Sequence, residues 1–306
     1  MRSRTRRDAG KARPSRPVFG SRLATWGRTR ATRGARPAAW GAGLAAAVTV
    51  GLGATSPSAH GAERLAFRLA AAVRALPRGA PTVPPALLHG RFYDGTPAVG
   101  ALFTVSSGRL GQHFCTASVV ASPVKDLVIT AAHCLHGRQP GQVAFVPQYH
   151  RHLEPYGTWT VDQVFVDASW ARSQNPNDDV AFLVVSQPGN ATPVQELTGG
   201  EKLATGWRAA QLVQVIGYPD GRERPITCTA RTRAFGRRQM EFDCGGYTDG
   251  TSGGPFLANV HRATGLGAVA GVIGGYEQGG DTPSVSYSAR FGRAVRDLYS
   301  KAVSRN

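Results

Sequence analysis

Short apolar runs separated by turn residues dominate the chain from about Thr96 onward. Seven of these runs have the length and composition of buried β-strands, and they span residues 99–105, 115–122, 127–134, 180–185, 210–218, 254–260 and 268–276. The last segment differs, because apolar residues between Ser288 and Ser304 recur at the spacing of one helix face. The pattern therefore predicts an all-β sandwich or barrel domain that ends in one amphipathic helix.

Residues 62–94 have a different pattern. Apolar residues between Leu65 and Leu76 recur at helical spacing, and four prolines between residues 77 and 85 then predict an extended linker. A short helix before a proline-rich linker is typical of a pro-segment and equally of a loosely ordered arm, and the sequence does not distinguish them. The main domain is expected at residues 95–306.

The charge of the chain is unevenly distributed. The 36 Lys and Arg residues exceed the 19 Asp and Glu residues, which gives a formal charge of +17. Twelve of the basic residues and one acidic residue lie in residues 1–61, so the rest of the chain carries only +6. A strongly basic protein raises nucleic acid as a partner, but the excess lies in the leader and no basic–aromatic motif follows it. We therefore expect no nucleic-acid partner.

The basic start leads into an uncharged stretch, residues 38–54, and then into Ala59-His60-Gly61. A positive region, an apolar region and small residues at a cleavage site are typical of a secretory signal peptide. We interpret residues 1–61 as such a signal with a long basic n-region, removed near Gly61. The mature protein is then extracellular, without a stable membrane partner, and an uncleaved membrane anchor is the alternative.

Three local patterns contain the parts of an activated hydroxyl nucleophile. His133 lies in TAAHC, Asp179 directly precedes an apolar strand in NDDVAFLVV, and Ser252 lies in the glycine-rich DGTSGGPF. A serine hydroxyl attacks a carbonyl at neutral pH only when an adjacent base takes its proton. Imidazole can do this, and a buried carboxylate holds the ring in the required tautomer. Each pattern alone is common in turns and cores, but their order and separation together predict a Ser-His-Asp triad.

The glycines around Ser252 indicate how the reaction intermediate would be stabilised. The tetrahedral intermediate carries negative charge on the former carbonyl oxygen, which requires N–H donors about 3 Å away. Glycine permits the backbone angles that aim such donors inward. We expect the oxyanion hole to be formed by the backbone N–H groups of Gly250 and Ser252.

The three motifs, in this order, resemble the histidine, aspartate and serine boxes of the trypsin/chymotrypsin-like serine peptidases, particularly the secreted bacterial members. The resemblance covers roughly residues 95–303 and implies two six-stranded antiparallel β-barrels with a C-terminal α-helix. His133 and Asp179 would lie in the first barrel and Ser252 in the second. It further implies a monomeric serine endopeptidase that hydrolyses polypeptide substrates through an acyl-enzyme and without a cofactor.

The same motif distinguishes two adjacent carboxylates. The family's aspartate stands immediately before Val/Ile-Ala, which selects Asp179 and not Asp178. Successive side chains of an extended chain point to opposite faces. Asp178 is therefore expected to be a solvated loop carboxylate.

The resemblance also implies that Cys115 and Cys134 form the disulfide beside the catalytic histidine, which leaves Cys228 and Cys244 as a second pair. Four cysteines permit three pairings, so this assignment depends on the resemblance. Export makes paired cysteines the expected state.

We expect no metal site. A structural metal site needs closely spaced ligands such as Cys-x-x-Cys, and this spacing does not occur. The other candidates are His150 and His152, two histidines on a polar loop that we interpret as solvated side chains, and His113, which is more distant in the sequence.

The chain departs from the family at positions that govern activation and specificity. Thr251 stands where animal trypsins carry the aspartate that pairs with the new N-terminus, so that activation switch is expected to be missing. Gly246 stands where trypsins bind Arg or Lys through an aspartate, and Ile273 where glutamate-specific relatives carry a histidine. Charged specificity is therefore not supported, although three loop carboxylates could still approach the pocket, namely Asp243, Asp249 and Asp281.

The specificity pocket is expected to be lined by Gly246, Gly274, Gly275 and Tyr276. The last three would also form the strand that pairs with the substrate backbone, as in β-augmentation. An apolar or small side chain before the scissile bond is the expected preference.

A catalytically silent binding or adhesion module of the same fold is the alternative function. The sequence disfavours it, because all three catalytic residue types and the oxyanion glycines are present.

Overall fold

The computed structural model describes residues 87–206, 208 and 210–305. The signal peptide expected at residues 1–61 lies outside the described residues, as do the helix and proline linker expected before residue 87. Within the described ranges the chain is mostly β-structure with few helices, in agreement with the all-β prediction.

The strands follow one another along the whole described chain. They are β1 Arg91–Phe92, β2 Val99–Ser106, β3 Arg109–Val119, β4 Leu127–Thr130, β5 Val143–Pro147, β6 Trp159–Val166, β7 Ala181–Ser186, β8 Lys202–Leu203, β9 Leu212–Gly217, β10 Ile226–Arg231, β11 Arg233–Phe235, β12 Gln239–Asp243, β13 Pro255–Ala258, β14 Ala268–Val272 and β15 Val285–Ala289. The α-helices are α1 Ala168–Ser173, α2 Val194–Thr198 and α3 Arg293–Ser304. Short 3₁₀ turns occupy Ala132–Leu135, Pro176–Asp178 and Tyr276–Gly279.

The first half is a closed antiparallel barrel of six strands in the order β2-β3-β4-β7-β6-β5. Every residue of β4 is buried, as are the first five residues of β7. Such continuous burial is typical of strands that are covered on both faces. This half confirms the predicted barrel and its antiparallel pairing.

The second half consists of two sheets rather than one closed ladder. A six-stranded sheet has the order β1-β10-β9-β13-β14-β8, with β8 parallel to β14, and a three-stranded sheet has the order β11-β12-β15. The resemblance implies a second closed barrel, but β14 and β15 are joined here only by single hydrogen bonds. Val272 donates its N–H to Ser288 Oγ at 3.0 Å, and Gly274 donates to the Tyr287 carbonyl at 2.9 Å. A side-chain acceptor therefore interrupts the regular backbone ladder at this seam.

Helix α3 starts at Arg293, five residues after the predicted start at Ser288. Ser288 and Ala289 belong to β15 instead, where Ala289 pairs with Gln239 of β12. The apolar face of α3 packs against the first barrel, where the Tyr299 ring lies 5.7 Å from that of Phe182. Among the described residues, no helix is both long enough and apolar enough to cross a bilayer.

A segment before the predicted domain start is part of the second half. Gly245 donates its N–H to the Leu88 carbonyl at 2.6 Å, and β1 pairs with β10. Asp94 forms ion pairs with Arg151 and Arg224 at 3.2 and 3.0 Å. Residues from Leu88 onward therefore belong to the folded domain, which begins before residue 95.

Candidate active site

His133 lies in a 3₁₀ turn that follows β4. The strand predicted to continue through Cys134 ends at Thr130, and the chain then turns. The turn is fixed at two points, by the Cys115–Cys134 disulfide and by the His133 backbone N–H, which donates to Asp179 Oδ1 at 2.9 Å. The imidazole is thereby held in a defined orientation.

Asp179 is a buried carboxylate with three hydrogen-bond contacts. Its Oδ1 accepts the His133 backbone N–H, while its Oδ2 contacts His133 Nδ1 at 2.8 Å and accepts the Gly275 N–H at 2.8 Å. The Asp179 side chain has no exposed surface. An N–H at Nδ1 satisfies this carboxylate, which leaves Nε2 as the basic nitrogen of a neutral ring.

Asp178 is not the solvated carboxylate that the sequence suggested. It is 8% exposed, forms an ion pair with Arg238 at 2.8 Å, and accepts hydrogen bonds from Ser169 Oγ and Asn175 Nδ2. The 3₁₀ turn directs this side chain toward α1 and the second half, away from His133. Its surroundings anchor the loop that carries Asp179.

Ser252 lies in the loop between β12 and β13, which is bound to β3 of the first barrel. The Thr116 N–H donates to the Ser252 carbonyl at 2.7 Å. The Thr116 hydroxyl donates to the Gly250 carbonyl at 3.0 Å and accepts the Tyr218 N–H at 2.8 Å. Gly253 has φ +79°, and a Cβ there would lie 2.2 Å from the Thr116 carbonyl, so only glycine fits.

The N–H groups of Gly250 and Ser252 make no hydrogen bond with any described residue. Gly250 has φ +86°, and both residues line the same cavity. Two free donors beside a serine hydroxyl are the arrangement that an oxyanion requires.

The cavity at this site has a volume of about 990 Å³, and both His133 and Ser252 line it. The structure thus brings the three candidate residues to one site, with His133 and Asp179 in direct contact. Within the described residues, no hydrogen bond joins the Ser252 hydroxyl to the His133 ring, whose Nε2 lies 3.9 Å from Cys134 Sγ. Such bonds are often long before substrate binds and shorten in the complex.

The glycines expected in the specificity pocket lie beside the cavity instead of lining it. A Cβ on Gly274 would lie 2.9 Å from Asp179 Oδ2, and Gly275 donates its N–H to the same atom. Gly275 therefore helps to hold the carboxylate, and the lack of a side chain at Gly274 leaves room for it. Gly246 is exposed and lies against Ile226.

The fourth expected pocket residue, Tyr276, points away from the cavity. Its ring packs on Phe235 and Tyr287, with centroids at 4.9 and 5.1 Å. The chain turns here, because Tyr276–Gly279 is a 3₁₀ turn and not an extended strand. The cavity wall is formed by residues before and after this turn.

Buried neutral residues form the deep part of the cavity wall, namely Tyr247, Thr251, Ile273 and Ser286. Burial raises the pKa of Tyr247, whose neutral hydroxyl donates to the Val215 carbonyl at 2.8 Å. Thr251 donates its hydroxyl to the Thr248 carbonyl at 2.7 Å. A neutral hydrogen bond thus orders the loop at the position where animal trypsins use an ion pair.

Of the three loop carboxylates considered from the sequence, Asp249 and Asp281 line the cavity. Asp243 does not, and it forms an ion pair with Arg233 at 2.8 Å. Burial raises the pKa of the Asp243 carboxyl, whereas Arg233 lowers it.

Both disulfides in the structure join the cysteines as the resemblance implies. Cys115 pairs with Cys134, and Cys228 pairs with Cys244, which connects the two sheets of the second half. In the described ranges, the one close group of potential metal ligands is Cys115, His133 and Cys134. Both sulfurs of this group are bonded in the disulfide and are not available as thiolate ligands.

Two supporting residues were missed in the sequence. Thr116 connects β3 to the oxyanion loop, as described above. Gln239 donates its side-chain amide to the Pro176 carbonyl at 3.0 Å and to Asn177 Oδ1 at 3.1 Å, which holds the Asp179 loop against β12. Neither residue belongs to a motif, and their partners lie 62 to 134 residues away in the sequence.

Comparisons with known proteins agree with the fold described above. A family model described as a trypsin-like peptidase domain matches residues 115–266. A search of curated proteins finds no match to the sequence.

Three solved structures share the fold. The protease Anisep from Arthrobacter nicotinovorans is 23% identical, with a TM-score of 0.59, and the match covers 70% of this chain and 99% of that one. The thermostable serine protease AL20 from an extremophilic microorganism is 26% identical, with a TM-score of 0.59 and coverage of 69% and 99%. A Glu endopeptidase is 13% identical, with a TM-score of 0.54 and coverage of 71% and 97%. From the family match, the fold and these neighbours together, we conclude that the chain contains a trypsin-like peptidase domain with the chymotrypsin-like fold.

Proposed function

We propose that the protein is an exported serine endopeptidase that cleaves internal peptide bonds through an acyl-enzyme. In the first step His133 Nε2 takes the proton of the Ser252 hydroxyl, and the oxygen attacks the substrate carbonyl. The imidazolium then gives this proton to the leaving amine, and the C–N bond breaks. A water molecule attacks the acyl-enzyme in the same way and releases the acid and the free serine.

The observation that carries this proposal is the environment of Asp179. A buried carboxylate that contacts His133 Nδ1 stabilises the imidazolium as it forms, because opposite charges interact strongly where water is excluded. The free N–H groups of Gly250 and Ser252 support the other requirement of the mechanism, which is stabilisation of the negatively charged oxygen of the tetrahedral intermediate. Loss of one such donor typically costs about 3–4 kcal/mol of transition-state stabilisation.

The test is digestion of an unfolded protein by the purified full chain, with the products identified by mass spectrometry. We expect internal cleavage, and Ser252→Ala and His133→Ala are expected to lower kcat by at least about 10⁴-fold. Ser300→Ala removes an exposed hydroxyl on α3 and serves as the matched control. A folded protein that produces no internal cleavage would favour the silent binding module.

Export remains part of this proposal. Its support is the basic and apolar pattern of residues 1–61 together with the two disulfides, which persist in oxidising compartments. Sequencing the N-terminus of secreted protein is expected to give a start at or after Ala62. Because Leu88 and β1 are paired with the second half, we expect any pro-segment to be removed before Leu88. A start at Met1 would contradict the signal peptide.

A further inference from the structure

The cavity beside Ser252 combines a neutral interior with a charged mouth. The buried wall residues Tyr247, Ile273 and Ser286 carry no charge. A charged side chain that entered this interior would lose its hydration without gaining a partner, which is unfavourable. The geometry therefore fits a neutral side chain in the deep part of the cavity.

Four carboxylates surround the mouth of the same cavity, and all four are exposed to solvent: Asp220, Asp249, Glu277 and Asp281. None of them forms an ion pair with a Lys, Arg or His of the described chain. Several other carboxylates on the domain are neutralised, as Asp126 is by Arg305 and Glu196 by Lys125. Uncompensated negative charge is therefore concentrated at this opening.

The other end of the cavity carries the opposite charge. The Arg138 guanidinium lies 3.9 Å from the centre of the Phe114 ring, and its Nε donates to the Cys134 carbonyl at 3.2 Å. Both side chains line the cavity next to the disulfide. Arg138 is thus held at the first-barrel end of the cleft, whereas Glu277 and Asp281 lie on the second half.

From these observations we propose that the preferred substrates are cationic polypeptides, cleaved at a neutral residue that is flanked by Lys or Arg. This inference rests on the proposed endopeptidase function and adds the substrate class. Carboxylates around a cleft raise the local concentration of cationic ligands, and the effect declines as salt screens the charges. Exposed ion pairs are individually weak, so two or three together are expected to change kcat/KM by about 10-fold.

The test uses internally quenched peptides built around a bond that the enzyme already cleaves in an unfolded protein. Three peptides keep the residues of that bond and carry Lys, Gln or Glu at the flanking positions. At low ionic strength we expect kcat/KM for the Lys peptide to be about 10-fold higher than for the Glu peptide, with an intermediate value for the Gln peptide. At about 0.5 M salt the difference is expected to shrink to less than about threefold.

A double variant identifies the source of the preference. Glu277→Gln with Asp281→Asn is expected to lower kcat/KM for the Lys peptide and to raise it for the Glu peptide, so that most of the difference between these two peptides disappears. The matched control, Glu196→Gln with Asp297→Asn, removes two exposed carboxylates that do not line the cavity and is expected to retain the preference.

Equal cleavage of the three peptides at low salt would overturn the inference and leave the proposed function intact. If the double variant of Glu277 and Asp281 retains the full preference for the Lys peptide, the inference is likewise overturned and the proposed function is unaffected. If neither the peptides nor the unfolded protein is cleaved, the proposed function fails together with the inference.

Discussion

At the scale of single residues, the two neighbouring carboxylates Asp178 and Asp179 have different partners. Asp179 contacts His133 through both of its oxygens, whereas Asp178 contacts Arg238, Ser169 and Asn175. The first arrangement orients a ring that lines the cavity. The second connects the loop to the rest of the domain.

We therefore expect Asp179→Asn and Asp178→Asn to have separable effects. The first variant cannot accept the Nδ1 proton in the same way and favours the wrong tautomer, so kcat is expected to fall about 10⁴-fold. The second is expected to lower the free energy of unfolding by about 1–2 kcal/mol and to change kcat by less than about fivefold. Kinetics on a cleaved peptide and urea unfolding check both values. A similar loss of kcat in the two variants would contradict the assigned roles.

Glu201 is a second residue with a defined environment, at the junction of the two halves. Its backbone N–H donates to the Val119 carbonyl at 2.8 Å, its side chain accepts the Gly267 N–H, and its Oε1 is buried without a partner. Burial raises the pKa of the Glu201 carboxyl from 4.5 to about 7. In the unfolded chain the same group loses its proton near pH 4.5.

The consequence is a defined pH dependence of stability. Below pH 4.5 Glu201 is neutral in both states and costs nothing, but between pH 4.5 and 7 the unfolded chain binds fewer protons, so stability falls as pH rises. Glu201→Gln is expected to be about as stable as the parent at pH 4 and up to about 3 kcal/mol more stable at pH 8. Urea unfolding at both pH values measures this, with the exposed Glu196→Gln as control. If Glu201→Gln does not increase the free energy of unfolding at pH 8, the raised pKa of a buried Glu201 is contradicted.

At the scale of elements, β3 of the first barrel positions the loop that carries the nucleophile. The Thr116 hydroxyl bridges the Gly250 carbonyl and the Tyr218 N–H, at 3.0 and 2.8 Å. Gly250 is also one of the two expected oxyanion donors. Thr116 is therefore a positioning residue, because it acts on the intermediate only through Gly250.

Thr116→Val keeps the shape of the side chain and removes the bridge. A displaced Gly250 N–H weakens transition-state binding, so kcat is expected to fall about 10-fold while KM changes less than about twofold. Thr116→Ser retains the hydroxyl and is expected to restore most of kcat. Steady-state measurements of kcat and KM for the two variants test this positioning role. If Thr116→Val destabilises the fold and leaves kcat unchanged, the residue is structural only.

The strands that the sequence predicted are mainly those with nearly continuous apolar runs. Residues 180–185 are apolar throughout and residues 99–105 are apolar except for Thr104, and both runs form strands. Strand β6 was missed because a bulge between Val161 and Gln163 breaks its alternation. Strands β10 to β12 were missed because they are short and place charged residues such as Arg231 and Glu241 among apolar ones.

At the scale of the whole molecule, residues from both halves form the candidate site. His133 and Asp179 belong to the first half, Ser252 to the second, and Thr116 bridges the two. Local motifs made the three candidate residues recognisable in the sequence. Thr116, Gln239 and Glu201 were not predictable, because their roles depend on contacts between chain segments that only the fold brings together.

The most direct measurement is reaction of the folded full chain with a fluorophosphonate probe, followed by mass mapping of the adduct. This probe reports an activated serine without requiring any particular substrate sequence. We expect one adduct, on Ser252, that is absent in heat-unfolded protein and in Ser252→Ala and forms far more slowly in His133→Ala. An adduct on another residue, no labelling of the folded protein, or undiminished labelling of His133→Ala would contradict a serine activated by His133.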